Sequence, residues 1–218
     1  MSKYVIVDLE MCKVPKANRL QRYHYASETI QIGAVLVDEN LEIIDEFNTY
    51  VHPEYGEIDG FIRRLTGIST FDVKDAFKMK EALEKFVDWV PEDAVCVSWS
   101  DSDKLQICHE IAAKHINIPR LNSFLETWQD CQKTFSEKMD SNKQYRLSEA
   151  LVASDIMFDD NLHDGLVDAK NTAMLFIKMK KEPILVLNEY YRRSLDNEVK
   201  TNMYTIGDVF STLSIAFG

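Results

Sequence analysis

Glycine and proline are scarce in this chain, at 7 and 5 of 218 residues. This scarcity argues against long disordered linkers, and the length is enough for one sizeable domain with a buried core. Cysteine is scarce too, and no CxxC pair occurs among Cys12, Cys96, Cys108 and Cys131. Their spacing fits no zinc pattern, so we expect core thiols in a protein from a reducing compartment.

Long apolar runs and an excess of positive charge are also absent. No run approaches the ~20 residues that a membrane span needs, and the N-terminus enters a strand-like segment rather than a signal peptide. We therefore expect no membrane partner and a cytoplasmic location. The 36 Asp and Glu outnumber the 25 Lys and Arg, for a net charge of -11. This balance counts against a broad nucleic-acid surface, but not against a small site in which metal ions supply the positive charge.

The first stretch with chemistry is Tyr4 to Glu10, an apolar run of strand-forming residues that ends in two carboxylates. Side chains two apart on a strand point the same way, so Asp8 and Glu10 should lie side by side. Close like charges raise each other's pKa unless a cation lies between them. Since Mg²⁺ prefers carboxylate oxygens, the pair indicates a metal site. Two ordinary surface acids at a solvated strand end are the alternative.

The rest of the chain predicts one α/β domain, a partly antiparallel sheet flanked by helices, over residues 1–182. A helical extension of unknown role follows over 183–218. Strands are expected at 4–10, 30–37, 41–51 and 94–99, the second and third joined as a hairpin, with a loop at 13–25. Apolar periodicity predicts helices over 75–90, 101–115, 124–139, 147–151 and 169–181.

Two further acidic stretches lie where a strand or loop enters a helix. The first holds Asp101 and Asp103, and the second holds His163 and Asp168. Each has an ordinary alternative, because an acid at a helix start can be an N-cap or a partner of the helix dipole. A lone histidine in a glycine-containing loop is usually a surface residue.

Taken together, these stretches resemble a known family. Val7 to Glu10, Trp99 to Asp103, and the pair His163 and Asp168 are similar, in this order, to the three motifs of DnaQ-like 3′–5′ exonucleases. The similarity is to the branch whose fifth residue is a histidine (DEDDh), and it extends over residues 3–181. The small stand-alone RNA-processing and sporulation-inhibitor-like exonucleases are the most similar. The register favours Asp103 as the acid of the second motif, with Asp101 left open.

The resemblance implies a ribonuclease H-like fold and an enzyme that removes nucleoside 5′-monophosphates from the 3′ end of single-stranded RNA or DNA. It implies two Mg²⁺ or Mn²⁺ ions held by Asp8, Glu10, Asp103 and Asp168. Two cations suit this chemistry because they neutralise the attacking and leaving oxygens of a phosphodiester. His163 would be the general base, a role that suits an imidazole at neutral pH.

The resemblance also implies the contacts to substrate. The terminal base would pack on Met11, Leu65 and Ile68, although many relatives carry Thr or Ala in place of Met11. The basic segment 13–25 would touch the backbone of the strand through Lys13, Arg19, Arg22 and Tyr23. A solvated loop is the favoured interpretation of this segment, and the backbone contacts are the alternative.

Two rival functions remain. One is a catalytically silent nucleic-acid-binding or scaffold protein on the same fold, which the intact acids and His163 argue against. The other is a proofreading or processing subunit that acts only in a complex, which the unexplained extension keeps open. The choice between RNA and DNA depends on how the site meets the 2′-OH, and it stays open, as does the oligomeric state.

Overall fold

The fold is built on a five-stranded sheet in the order β3-β2-β1-β4-β5, seen in a computed structural model that describes residues 2–21, 23–158, 163–189 and 191–193. Strand β1 (Tyr4–Lys13) pairs antiparallel with β2 (Ser27–Val37), which pairs antiparallel with β3 (Ile43–Tyr50). On its other edge, β1 runs parallel to β4 (Val95–Ser98), and β4 runs parallel to β5 (Gln129–Asp130). The expected mixed sheet is confirmed.

Helices flank this sheet on both faces. They are α1 (Lys16–Gln21), α2 (Gly60–Thr66), α3 (Thr70–Val73), α4 (Met79–Trp89), α5 (Asp101–Ala113), α6 (Pro119–Glu126), α7 (Cys131–Lys138), α8 (Leu147–Ala153) and α9 (Gly165–Lys181). No helix in the described part of the chain is both long and apolar enough to cross a bilayer.

Both faces of β1 are buried, because its side chains alternate between two apolar clusters. Val5, Val7 and Leu9 belong to the cluster under α4, α5 and α6, whereas Ile6 belongs to the cluster under α7, α8 and α9. Residues 8 and 10 have the same parity as Ile6, so their carboxylates lie on the α9 face of the sheet. The strand therefore delivers two acids to the helix that carries the third motif.

The helix predicted over 124–139 is wrong, since two helices with a short strand between them occupy this segment. The indole N–H of Trp128 donates to Ser98 Oγ at 2.8 Å and holds the chain beside β4. Asp130 then caps α7 by accepting the Lys133 N–H at 2.7 Å. A long-range hydrogen bond thus interrupts a segment whose periodicity alone reads as one helix.

Other boundaries also differ. The helix predicted from residue 75 begins at Met79, because the carbonyl of Phe77 accepts the His52 N–H at 2.8 Å and Lys78 is extended. The helix predicted from residue 169 begins at Gly165, where the Asp164 side chain accepts the first free N–H groups. The expected loop over 13–25 contains α1, and α2 and α3 are additional short helices.

A buried ion network holds α5 against β2. Lys114 Nζ lies 2.6 Å from a Glu28 oxygen and 2.7 Å from a Glu110 oxygen. Glu110 also accepts the N–H of Thr29 at 2.7 Å. Thr29 pairs with Met11 where the ladder shifts register after Glu10. The network therefore ties the helix that begins with the second motif to the strand end that carries the first.

The extension predicted for 183–218 is described at residues 183–189 and 191–193, and its other residues lie outside the described part. Leu185 is buried in the cluster under α9. The Asn188 N–H donates to the carbonyl of Ala153 at 2.7 Å. The start of the extension therefore packs on the domain.

Candidate active site

The third-motif helix reaches the carboxylates of β1 through two glycines. Asp8 pairs with Gly33 of β2, and a Cβ on Gly33 would lie only 2.1 Å from the carbonyl carbon of Gly165. A side chain at residue 33 would therefore push the start of α9 away from the sheet. The Gly165 N–H also donates to Gln31 Oε1 at 3.0 Å, so the start of α9 is fixed beside Asp8.

Asp103 reaches the same place from α5. Strand β4 pairs with β1 only as far as Ser98 opposite Val7, so the Leu9 N–H lies beyond that ladder. Asp103 Oδ1 accepts this N–H at 3.1 Å, and its side chain is only 5% exposed. Asp101 is exposed at the start of the helix. The structure brings Asp103, and not Asp101, to the acids of β1.

Asp168 and His163 complete the cluster. Asp168 is buried in the first turn of α9, and its Oδ2 accepts the backbone N–H of His163 at 2.9 Å. His163 is exposed and adopts a left-handed backbone conformation, with φ of 69°. One candidate ligand atom from each of Glu10, His163 and Asp168 lies within 4.8 Å of the other two. Oxygen and nitrogen donors from two separate elements thus converge on one point.

The electrostatics of this cluster are unfavourable for bare carboxylates. Burial, followed by the charges of Asp168 and Asp103, raises the pKa of Glu10 to about 8. Burial also raises the pKa of Asp103 to about 7, and it raises the pKa of Asp8 and Asp168. No Lys or Arg within the described residues forms an ion pair with any of these four acids.

These residues fit a divalent metal ion. Asp168 Oδ1 is buried and makes no hydrogen bond of good geometry, although a buried acceptor normally has a partner. Carboxylate oxygens are the ligands that Mg²⁺ and Mn²⁺ prefer. A cation would satisfy this oxygen and relieve the repulsion that raises the pKa of Glu10 and Asp8.

Comparison with known proteins agrees with this geometry. The RNase T family model, described as exonuclease, matches residues 5–176. Human ERI1 exoribonuclease 2 is 31% identical over 185 residues, which are 74% of this chain and 26% of that protein. A PolC-type DNA polymerase III from Caldanaerobacter subterraneus subsp. tengcongensis is 30% identical over 177 residues, which are 81% of this chain and 11% of that protein.

This chain belongs to the DnaQ-like DEDDh exonuclease family. The nuclease domain of 3′hExo, a DEDDh family member bound to rAMP, superposes with a TM-score of 0.72 at 24% identity. The match covers 86% of this chain and 96% of that one. A full-length 3′-exonuclease also has a TM-score of 0.72, at 23% identity, with 86% and 85% covered. These neighbours confirm the ribonuclease H-like fold. The chain spans about a quarter (26%) of the human ERI1 relative.

The three residues expected to contact the terminal base of a substrate differ in how far they are exposed. Leu65 is 38% exposed on α2, and Met11 is partly buried at the end of β1. Ile68 is 3% exposed and packs with Cys12 and Ile30 in a third apolar cluster. The prediction that Ile68 contacts the terminal base is therefore wrong, because its side chain is part of the core.

The basic segment 13–25 also departs from expectation. Tyr23 has no exposed surface, and its hydroxyl donates to the carbonyl of Ser27 at 3.0 Å. It therefore cannot touch a nucleic-acid backbone. The Arg19 guanidinium donates to the carbonyl of Val14 at 2.8 Å, and Lys13 lies over the ring of Phe61. Arg22 lies outside the described residues.

Two site residues were missed by sequence reasoning. Asp164 caps α9, and its charge contributes to the raised pKa of Asp8 and Glu10. Gln31 Oε1 accepts the Gly165 N–H at 3.0 Å, and the amide NH₂ of Gln31 donates to Asn48 Oδ1 at 3.0 Å. An Asp directly before a Gly was the available signal for Asp164, because Asp is a favoured N-cap. Nothing local marks Gln31, since its partners lie far along the chain.

Proposed function

We propose that this chain is a metal-dependent 3′–5′ exonuclease that releases nucleoside 5′-monophosphates from single-stranded RNA or DNA. One observation carries the proposal. Asp8, Glu10, Asp103 and Asp168 converge from β1, α5 and α9 with raised pKa values. A binding-only module gains nothing from clustered acids that would repel a phosphate, whereas a two-metal phosphodiesterase requires them.

In this proposal Asp8, Glu10 and Asp168 hold two Mg²⁺ or Mn²⁺ ions, with Asp103 as a supporting acid. When bound, the ions neutralise the charge that develops on the phosphodiester. Asp168 Oδ1 suits this task, because it makes no hydrogen bond of good geometry, whereas Oδ2 accepts the His163 N–H. Asp103 also fixes the backbone between the two β1 acids through the Leu9 N–H.

His163 is the proposed general base that takes the proton of the attacking water. Its ring is exposed at the edge of the cluster, where a substrate and water have access. Its backbone is anchored to Asp168 at 2.9 Å. This hydrogen bond holds the backbone of His163 close to the acids and leaves the imidazole available to exchange a proton.

The names of the relatives bear on the nucleic acid. ERI1 exoribonuclease 2 and the 3′-5′ exoribonuclease 1 of Rattus norvegicus are named as acting on RNA. The PolC-type relative is a DNA polymerase. The chain covers only 11% to 48% of these proteins. An alternative proposal is therefore that it acts as a subunit of a complex, together with larger partners or domains.

The test is digestion of matched 5′-labelled single-stranded RNA and DNA by the purified chain, with Mg²⁺ or with EDTA. We expect a ladder that shortens from the 3′ end only with metal, and nucleoside 5′-monophosphates as products. An Asp8→Asn, Asp168→Asn double variant is the control for contaminating nucleases. Binding of either strand without Mg²⁺-dependent shortening would contradict the proposal and favour the silent scaffold.

A further inference from the structure

A groove runs away from the carboxylates on the α8 side of the site. Its volume is about 680 Å³, which is in the range of ligand-binding clefts. We call it the side groove, and its walls include His163, Asp168, Trp99, Gln132, Tyr145 and Arg146. Met11, Leu65 and Ile68 do not line it. The side groove is therefore a different surface from the remaining proposed base contacts, Met11 and Leu65.

The floor of the side groove is preformed. The carbonyl of Tyr145 accepts the Gln132 amide at 2.7 Å and the Trp99 indole N–H at 3.2 Å. Trp99 and Tyr145 are 9% and 3% exposed and pack around Phe135. Hydrogen bonds and packing thus fix the backbone that leads to Arg146, so a ligand would not need to order it.

Among the residues that the structure describes, Arg146 is the only Lys or Arg lining this groove. Its side chain is exposed, and it makes no ion pair, hydrogen bond or ring contact with any residue that the structure describes. The neighbouring Lys143 is engaged by Glu149 and by the ring of Tyr145. In a chain of net charge -11, a guanidinium that lines the same groove as Asp168 is placed for an anion that the acids alone would repel.

We propose that Arg146 binds the phosphate on the 5′ side of the scissile linkage, as the substrate strand leaves the acids through the side groove. This inference rests on the proposed exonuclease function. The terminal base would lie toward Leu65, the scissile phosphate at the carboxylates, and the preceding nucleotide in the side groove. Arg146 is then a substrate-binding residue that acts on affinity, not on the chemical step.

Arg146→Gln tests this assignment, because it removes the charge and keeps the size of an exposed side chain. We expect KM for an oligonucleotide to rise about tenfold, the usual size of a lost charge-assisted hydrogen bond, with little change in kcat. The dependence of log KM on log salt should fall by about 0.7, as for one lost phosphate contact on a single strand. Arg146→Lys should keep most of the affinity.

Two controls separate this inference from the function itself. Lys181→Gln removes the same charge from an exposed position at the other end of α9, ~20 Å from Asp168, and should leave KM unchanged. The p-nitrophenyl ester of thymidine 5′-monophosphate has no preceding phosphate, so Arg146→Gln should hydrolyse it at the wild-type rate. A methylphosphonate at the preceding linkage should raise KM for the wild-type protein and leave KM for the Arg146→Gln variant unchanged.

The outcomes are distinct. If the wild type cleaves neither substrate with Mg²⁺, the exonuclease proposal fails. If the wild type cleaves both and Arg146→Gln keeps its oligonucleotide KM, the side groove does not hold the strand. If Arg146→Gln slows hydrolysis of the nitrophenyl ester as much as that of the oligonucleotide, Arg146 acts at the scissile phosphate or on the fold, and the inference is overturned.

Discussion

At the scale of single residues, the choice between two aspartates decides the site. The local rule for a helix start cannot separate Asp101 from Asp103, because both lie in the first turn of α5. What separates them is the Leu9 N–H, which lies 94 residues earlier and binds only Asp103. The sequence alone favoured Asp103, because its spacing fits a motif of the family. The burial that removes Ile68 from the base contacts has no local signal.

We expect Asp103→Asn to lose most nuclease activity, by about 10²-fold or more, because it removes a buried charge from the cluster. Asp101→Asn should stay near the wild type, because its side chain is exposed. Initial rates on a labelled oligonucleotide at saturating Mg²⁺ measure both, and thermal melting checks that both fold. The reverse ranking would show that Asp101 is the working acid.

His163 offers a second residue-scale prediction. If it is the general base, His163→Ala should lower the rate by about 10²- to 10⁴-fold. Calorimetric titration with Mn²⁺ should show metal binding largely retained. Loss of metal together with activity would instead make His163 a ligand, which its proximity to Glu10 and Asp168 also allows.

At the scale of elements, period-two and helical patterns predicted β1 to β4, α4 and α5, because their apolar faces are local features of the sequence. The strand β5 was not predictable in this way, because the Trp128 bond to Ser98 and the parallel pairing with β4 hold it in place. The start of α9 was placed four residues late, because its first turn packs on β2 through glycines rather than through apolar side chains.

The contact between α9 and β2 gives the element-scale prediction. Gly33→Ala should lower stability by about 1–3 kcal/mol, the range for overpacking, and reduce activity by moving Asp168. Gly60→Ala is the matched control, because its Cβ would meet only the flexible end of Arg64, at 3.3 Å. Denaturant unfolding and initial rates measure the pair. Equal stability and activity of the two variants would contradict the close approach at Gly33.

At the scale of the whole molecule, the site should make stability depend on pH and metal together. The folded-state pKa values of Glu10 and Asp103, about 8 and about 7, lie above the unfolded values of roughly 4. Between those limits the folded state binds more protons than the unfolded state, so stability of the metal-free protein falls as pH rises. Mg²⁺ should reverse this loss at pH 8 and have little effect at pH 5.

Scanning calorimetry in EDTA and in Mg²⁺, at pH 5 and pH 8, measures this linkage. Glu10→Gln should raise the Tm of the metal-free protein at pH 8 by ~2 °C or more and weaken the response to Mg²⁺. The same Mg²⁺ response at both pH values, or no effect of Glu10→Gln, would show that the acids are not coupled to metal in this way.

The carboxylate of Asp168 divides its two oxygens between two duties. Oδ2 accepts the His163 N–H, and Oδ1 is the buried oxygen without a hydrogen bond of good geometry. An asparagine side chain has one acceptor oxygen and one NH₂ donor. In Asp168→Asn, an amide turned to keep the backbone bond presents hydrogens to the cation, and an amide turned toward the cation presents hydrogens to the His163 N–H. Asp168→Asn nearly preserves the shape of the side chain, but the amide can serve only one of the two duties. It either anchors the backbone of His163 or offers an oxygen to the metal.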